Sequence, residues 1–134
     1  MRQIPKAITP VVSLAPNLRA ATATGAVVDR LGHEAASFLV TTGNWTDGTH
    51  TVVLQESTDG TNWAAIAAAN LSEAAPVVNA AGLANKSTTV VYNGDARYLR
   101  AQAVVSGSPA TGAVVGVTVL LSRARNSPAG SRVV

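Results

Sequence analysis

Asp47-Gly48-Thr49-His50-Thr51-Val52-Val53-Leu54-Gln55-Glu56-Ser57-Thr58-Asp59-Gly60-Thr61-Asn62-Trp63 sets two Asp-Gly pairs twelve positions apart, with a β-branched run between them. An Asp-Gly pair supplies the positive φ angles that tight turns need. The run over residues 50–57 is about one strand long and places Val52, Leu54 and Glu56 on one face. The stretch predicts a meander of antiparallel strands.

The same alternation continues outward. Residues 24–29 read as a first strand. Residues 34–42 read as a second, with Ala36, Phe38 and Val40 alternating with Ser37, Leu39 and Thr41. Residues 61–67 follow the second Asp-Gly turn, with Trp63 as a core anchor. A short strand is expected at 77–78, inside an Ala-rich stretch where Pro76 and Gly82 limit any helix to one turn near 71–74. Further strands are predicted over 87–93, 97–106 and 111–123. In the last two, Leu99, Ala101, Ala103 and Val105 share a face, as do Val115, Val117, Val119 and Leu121. Gly112 and Gly116, in a β-branched segment, mark a bulge or a crowded place in a sheet. Seven or eight short strands without a long helical pattern predict an all-β fold, an antiparallel β-sandwich of jelly-roll-like form. Phe38, Leu54, Trp63, Leu99 and Val117 are its expected core.

The ends read differently from the middle. Pro5, Pro10 and Pro16 suggest an extended N-terminal arm over residues 1–20, with one short edge strand near Val11 and Val12. The sandwich is then expected over 21–123, and Ser127-Pro128-Ala129-Gly130-Ser131 suggests a basic, flexible tail over 124–134. Arg2, Lys6 and Arg19 in the first segment, and Arg123, Arg125 and Arg132 at the other end, have no acidic residue among them. The body between carries four basic and seven acidic side chains, so the net charge of +3 hides cationic ends on an acidic block. Such ends suit an acidic neighbour or another copy of the body. Charged residues are only 13% of the chain, which suits a surface covered by partners.

Chemistry is thinly represented. With no cysteine, disulfides and cysteine-ligated metals are excluded. His33 and His50 are the only histidines, too few for a transition-metal site at a readable spacing. Asp47 and Asp59 bracket one strand, about 40 Å apart when extended, and cannot share a calcium ion. No nucleophile-elbow pattern occurs. These readings predict no enzyme activity and no cofactor. The longest apolar run, residues 113–121, is too short to cross a bilayer as a helix, and no apolar leader follows Met1. Direct nucleic-acid binding is not expected either, because the body is acidic and no basic residues interleave with aromatics.

Three segments taken together carry a resemblance: Asp29-Arg30-Leu31-Gly32-His33-Glu34; the central Asp47-Gly48 to Trp63 stretch; and Arg97-Tyr98-Leu99-Arg100 followed by Ala110-Thr111-Gly112-Ala113-Val114 and a basic end. In this order, over residues 25–125, the chain resembles small β-rich virion proteins of tailed bacteriophages. The resemblance implies a structural particle protein made in the host cytoplasm and located in the virion. Within that class it points to a capsid decoration, or cement, protein that binds the major capsid protein lattice as a dimer or trimer. The expected partner contacts are Ile4, Lys6 and Arg19 in the arm and Arg123, Arg125 and Arg132 in the tail. Rival expectations are a tail or head-completion component, and a carbohydrate-binding adhesion module with Trp45 and Tyr92 on one exposed stacking surface.

Overall fold

The computed structural model describes residues 8–124, and of Arg123 and Ala124 the backbone alone. Within that span the chain is all-β and antiparallel. Its strands are β1 (Thr9–Arg19), β2 (Ala23–Thr24), β3 (Val28–Asp29), β4 (His33–Trp45), β5 (Thr49–Ser57), β6 (Ala64–Ala65), β7 (Val77–Val78), β8 (Ser87–Tyr92), β9 (Tyr98–Ser106) and β10 (Ala113–Ala124). Single 3-10 turns at Ala68–Asn70 and Ala81–Leu83 interrupt the Ala-rich stretch, upstream and downstream of the turn expected near 71–74.

The strands form two sheets. One has the order β1-β10-β4-β8; the other has β2-β9-β5-β6, with β3 also on β9 and β7 also on β5. The long strands pair from the outside inward: β1 with β10, β2 and β3 with β9, β4 with β8, and β5 with β6 and β7. Two further ladders, β10 with β4 and β9 with β5, knit the pairs into sheets. Neighbours along the chain therefore mostly lie in opposite sheets.

That arrangement corrects the meander. Gly48 and Gly60 adopt φ of +84° and +79°, as the Asp-Gly pairs require. Only the second turn closes a hairpin, with Gln55 opposite Ala65 and Glu56 opposite Ala64. The first carries the chain from β4 in one sheet to β5 in the other. Asp-Gly chemistry reverses a chain equally well within a sheet or between sheets, so local sequence does not distinguish the two.

The expected alternation holds on the inner faces. Phe38, Val90, Leu99, Ala101, Ala103, Val115 and Val119 have no measurable exposure, and Val40, Val52, Leu54, Val117 and Leu121 are also buried. Small Ala side chains on β9 let the sheets approach, and Phe38 fills the space with an edge-on contact to Tyr92 at 6.3 Å between centroids. Trp63 does not join this core. It is half-buried, because the expected strand 61–67 contracts to two residues and leaves the indole outside. Tyr98 is likewise half-buried on the outer face of its sheet.

The segment expected as an arm is, from Thr9 onward, part of the body. Strand β1 runs along β10 from Thr9–Leu121 to Arg19–Ala113, far beyond Val11 and Val12. The pairing is irregular between Val12 and Leu14 and between Leu14 and Asn17, and the second irregularity absorbs Pro16. At the second, Pro16 lies over Gly116, where a Cβ would meet the Pro16 ring at 2.8 Å, which gives that glycine its crowded place. Leu14 is buried in the core. Buried Ser13 binds the two sheets together: its hydroxyl donates to the Ala26 carbonyl at 2.7 Å and accepts from the Ala101 amide at 3.0 Å.

Candidate interaction surfaces

Charged and polar side chains in the interior brace the loops. At one end, the Asp47 carboxylate accepts the backbone N–H groups of Ala110, Thr111 and Gly112, and Thr46 N–H donates to the Gly112 carbonyl at 2.9 Å. One carboxylate thus clamps both inter-sheet crossings at that end, β4 to β5 and β9 to β10. Those amides hold Asp47 below the usual carboxylate range. Trp45 Nε1 donates to the Gly48 carbonyl, and His50, with no exposure, donates from Nε2 to the Asp47 carbonyl at 3.0 Å.

At the other end, Tyr92 is 4% exposed. Its hydroxyl donates to Glu56 Oε1 at 2.6 Å and accepts the Ala96 amide at 3.0 Å. Burial, followed by the Glu56 carboxylate, pushes the phenol up to about 12. Arg30 is also buried. Its guanidinium spans the carbonyls of Ala96, Gly94 and His33 and lies 5.4 Å from the Tyr92 ring centroid. The sequence carries no sign that this arginine, among ten basic and seven acidic residues, turns inward.

These contacts leave two broad outer faces. That of the six-stranded sheet is polar and aromatic. Arg100 stacks on Trp63 at 4.2 Å and donates from Nε to Gln55 Oε1 at 2.7 Å. Beside it, Arg97 lies 4.9 Å from the Tyr98 ring and pairs with Asp29 at 2.8 Å. That pairing lowers Asp29 to about 2. Gln102 donates to Thr24 at 3.1 Å. The outer face of the four-stranded sheet is different: it carries Pro10, Val12, Leu18, Ala35, Ser37, Leu39, Thr41, Ser87, Thr89, Val91, Val114, Thr118, Leu120 and Ser122, and no charged side chain among the described residues.

The expected contact residues divide between the described and undescribed parts of the chain. Ile4, Lys6, Arg125 and Arg132 lie outside the described residues, and Arg123 is placed only by its backbone in β10. Arg19 is placed, and it turns onto its own strand pair, with Nε donating to the Val115 carbonyl at 3.2 Å and Nη2 donating to the Ala15 carbonyl. The stacking surface expected of Trp45 with Tyr92 does not form, because Tyr92 is buried. The Arg100–Trp63 and Arg97–Tyr98 pairs were not foreseen as a patch; strand alternation gives Tyr98 and Arg100 one face, but Trp63 arrives there through a loop.

Among the described residues no group of three or more His, Asp or Glu side chains is placed to hold a metal ion, and no helix is long and apolar enough to cross a membrane. An apolar cleft of about 480 Å³ opens between β5 and residues 65–75, lined by Val52, Leu54, Ile66 and Leu71 with Ser72 and Glu73 at its margin. Comparison with protein-family models, curated proteins and solved structures finds no match to this chain.

Proposed function

We propose that this chain is a virion structural protein, and specifically a capsid decoration protein that binds the outer surface of a major capsid protein lattice and stabilises the head. The observation that carries the reading is the nested pairing order. First with last, second with second-last and so on, folded into two facing sheets, is the strand plan of a jelly roll. We read the sandwich as one. Such a block resists shear because consecutive strands mostly sit in opposite sheets and each sheet is tied to the other by several crossings, here reinforced by Ser13 and Asp47.

Two further features support a binding role. The Trp63, Arg100, Tyr98 and Arg97 cluster gathers on one face the residue types that dominate protein interfaces. Arg2 and Lys6 precede the described residues and Arg125 and Arg132 follow them, and the described chain starts and finishes on one strand pair, since Thr9 is paired with Leu121. Many weak contacts repeated over a lattice give strong attachment through avidity.

The test is binding of the purified protein to shells of the capsid protein encoded in the same genome, prepared without it. Saturable binding at a fixed number of copies per shell, weakened by Trp63→Ala with Arg100→Ala, is expected. Absence of the chain from purified particles overturns the reading, and its appearance at a few copies on the tail replaces it with the tail-component alternative.

A further inference from the structure

The outer face of a sheet exposed to water ordinarily carries charged side chains. Here the four-stranded sheet presents rows of Val12, Thr118, Leu39 and Thr89, and of Pro10, Leu120, Ser37 and Val91, without one. Val12, Leu18 and Val91 are among the most exposed large apolar residues, at 50%, 52% and 40%. The other sheet, in the same protein, gathers Asp29, Arg97 and Arg100 instead. We propose that the outer face of the four-stranded sheet is the contact surface for a second copy of this chain, packed sheet against sheet about a twofold axis.

The choice of a second copy follows from charge and area. A twofold axis brings each group near its own mate or exchanges it with another on the same face, so a face with charge of one sign repels its own copy while a neutral one does not. The hydroxyls of Ser37, Thr41, Ser87, Thr89, Thr118 and Ser122 can each donate and accept, and so satisfy the same hydroxyls opposite. No charge on this face selects a charged partner. Four strands about 4.8 Å apart and a face about nine residues long give a footprint of about 550 Å² per copy. A pair then buries about 1,100 Å², which passes the lower limit for a specific interface and suits a reversible dimer.

The sheet edges offer a poorer route to association. Strand β1 is irregular at two places and holds Pro10 and Pro16. Strand β8 is partly covered: Ser72 N–H donates to the Val91 carbonyl at 3.0 Å, and Val91 N–H donates to Ser72 Oγ at 2.9 Å. Docking by strand addition is thereby hindered, and the flat face remains.

Sedimentation equilibrium of the full chain over a concentration series reads this directly. The expected result is a reversible rise to twice the chain mass. Leu39→Lys and Thr118→Lys each bury two ammonium groups in the pair and should raise its dissociation constant by about a hundredfold or more. Gln102→Lys, on the other sheet, should leave it unchanged. Because the chain has no cysteine, Thr118→Cys provides a charge-free second probe. It should form a disulfide-linked dimer on mild oxidation much faster than Gln102→Cys. A monomer at every concentration overturns the proposal, as does a dimer indifferent to both lysines. So does a monomer whose Leu39→Lys variant loses particle binding, since the face then belongs to the lattice. Sedimentation is read without particles, so the dimer and the decoration role fail separately.

Discussion

Replacing Tyr92 with Phe removes one oxygen from a polar group bonded on both sides in the interior. The ring stays, with its edge-on contact to Phe38, so the change leaves no large cavity. What is lost is a 2.6 Å bond to the Glu56 carboxylate and the acceptor for the Ala96 amide. A hydrogen bond to a charged group contributes about 1.5–3 kcal/mol, and a buried amide left without a partner costs about 1 kcal/mol more. The expected loss is about 2–4 kcal/mol by urea unfolding at neutral pH, a large share of the stability of a domain this size. The same group makes a second, independent signature. Its folded value of about 12 lies above the ordinary tyrosine value of about 10, so the folded state keeps the proton longer than the unfolded chain. Its contribution is present in full below pH 10 and declines as pH rises from about 10 to about 12, by about 3 kcal/mol in all. The wild-type protein should lose that much stability over the window relative to Tyr92→Phe, which has no phenol there to ionise. Urea midpoints at pH 9 and pH 11 on both proteins capture about half of it. A neutral-pH loss below about 0.5 kcal/mol, or parallel pH curves for the two proteins, would refute the account of Tyr92 as a buried strut between the sheets.

Three other outcomes follow from the same geometry. Asp47 and Asp29 are held below the usual carboxylate range by amides and by Arg97, so the stability they lend is present above pH 4 and lost as pH falls through their lowered values; Asp47→Asn should flatten the acid limb of the stability curve, measured by far-ultraviolet circular dichroism on titration. Leu99→Ala should cost about 2–5 kcal/mol, whereas Trp63→Ala should cost about 1 kcal/mol, the value of an exposed cation–π contact; equal losses in chemical denaturation would mean that the indole belongs to the core after all. Deleting residues 1–18 strips β1 from β10, uncovers Leu14 and removes Ser13, and should abolish cooperative unfolding in calorimetry.

The truncation result bears on how the protein is assembled. A deletion of 1–18 is the obvious probe of a proline-marked arm, but it would test folding instead of attachment. Proline excludes a central strand, and both Pro10 and Pro16 are accommodated here because β1 is an edge with two irregularities. The same local signal serves a free arm and a bulged edge strand.

Strands β4, β5, β8, β9 and β10, their facing and most of the core were legible in the chain itself, because a period of two in side-chain burial is written residue by residue: Phe38 and Val40, Val52 and Leu54, Leu99 and Ala101, Val115 and Val117 are all buried as the alternation requires, whereas β1 read as an arm and the strand expected over 24–29 is only the two-residue β2 and β3. Which strands pair was not legible there. The Asp47-Gly48 turn has the chemistry of a hairpin and makes a crossing between sheets, and nothing local separates the two, because the choice depends on β8, β9 and β10 arriving from forty or more residues away. The same long-range assembly turned Arg30 inward onto three carbonyls, left Trp63 on a surface, drew Arg19 back onto its own strand pair and gave the four-stranded sheet its uncharged face. Periodicity is a property of neighbours along the chain, whereas the sharing of charge among faces is settled only when distant strands lie side by side.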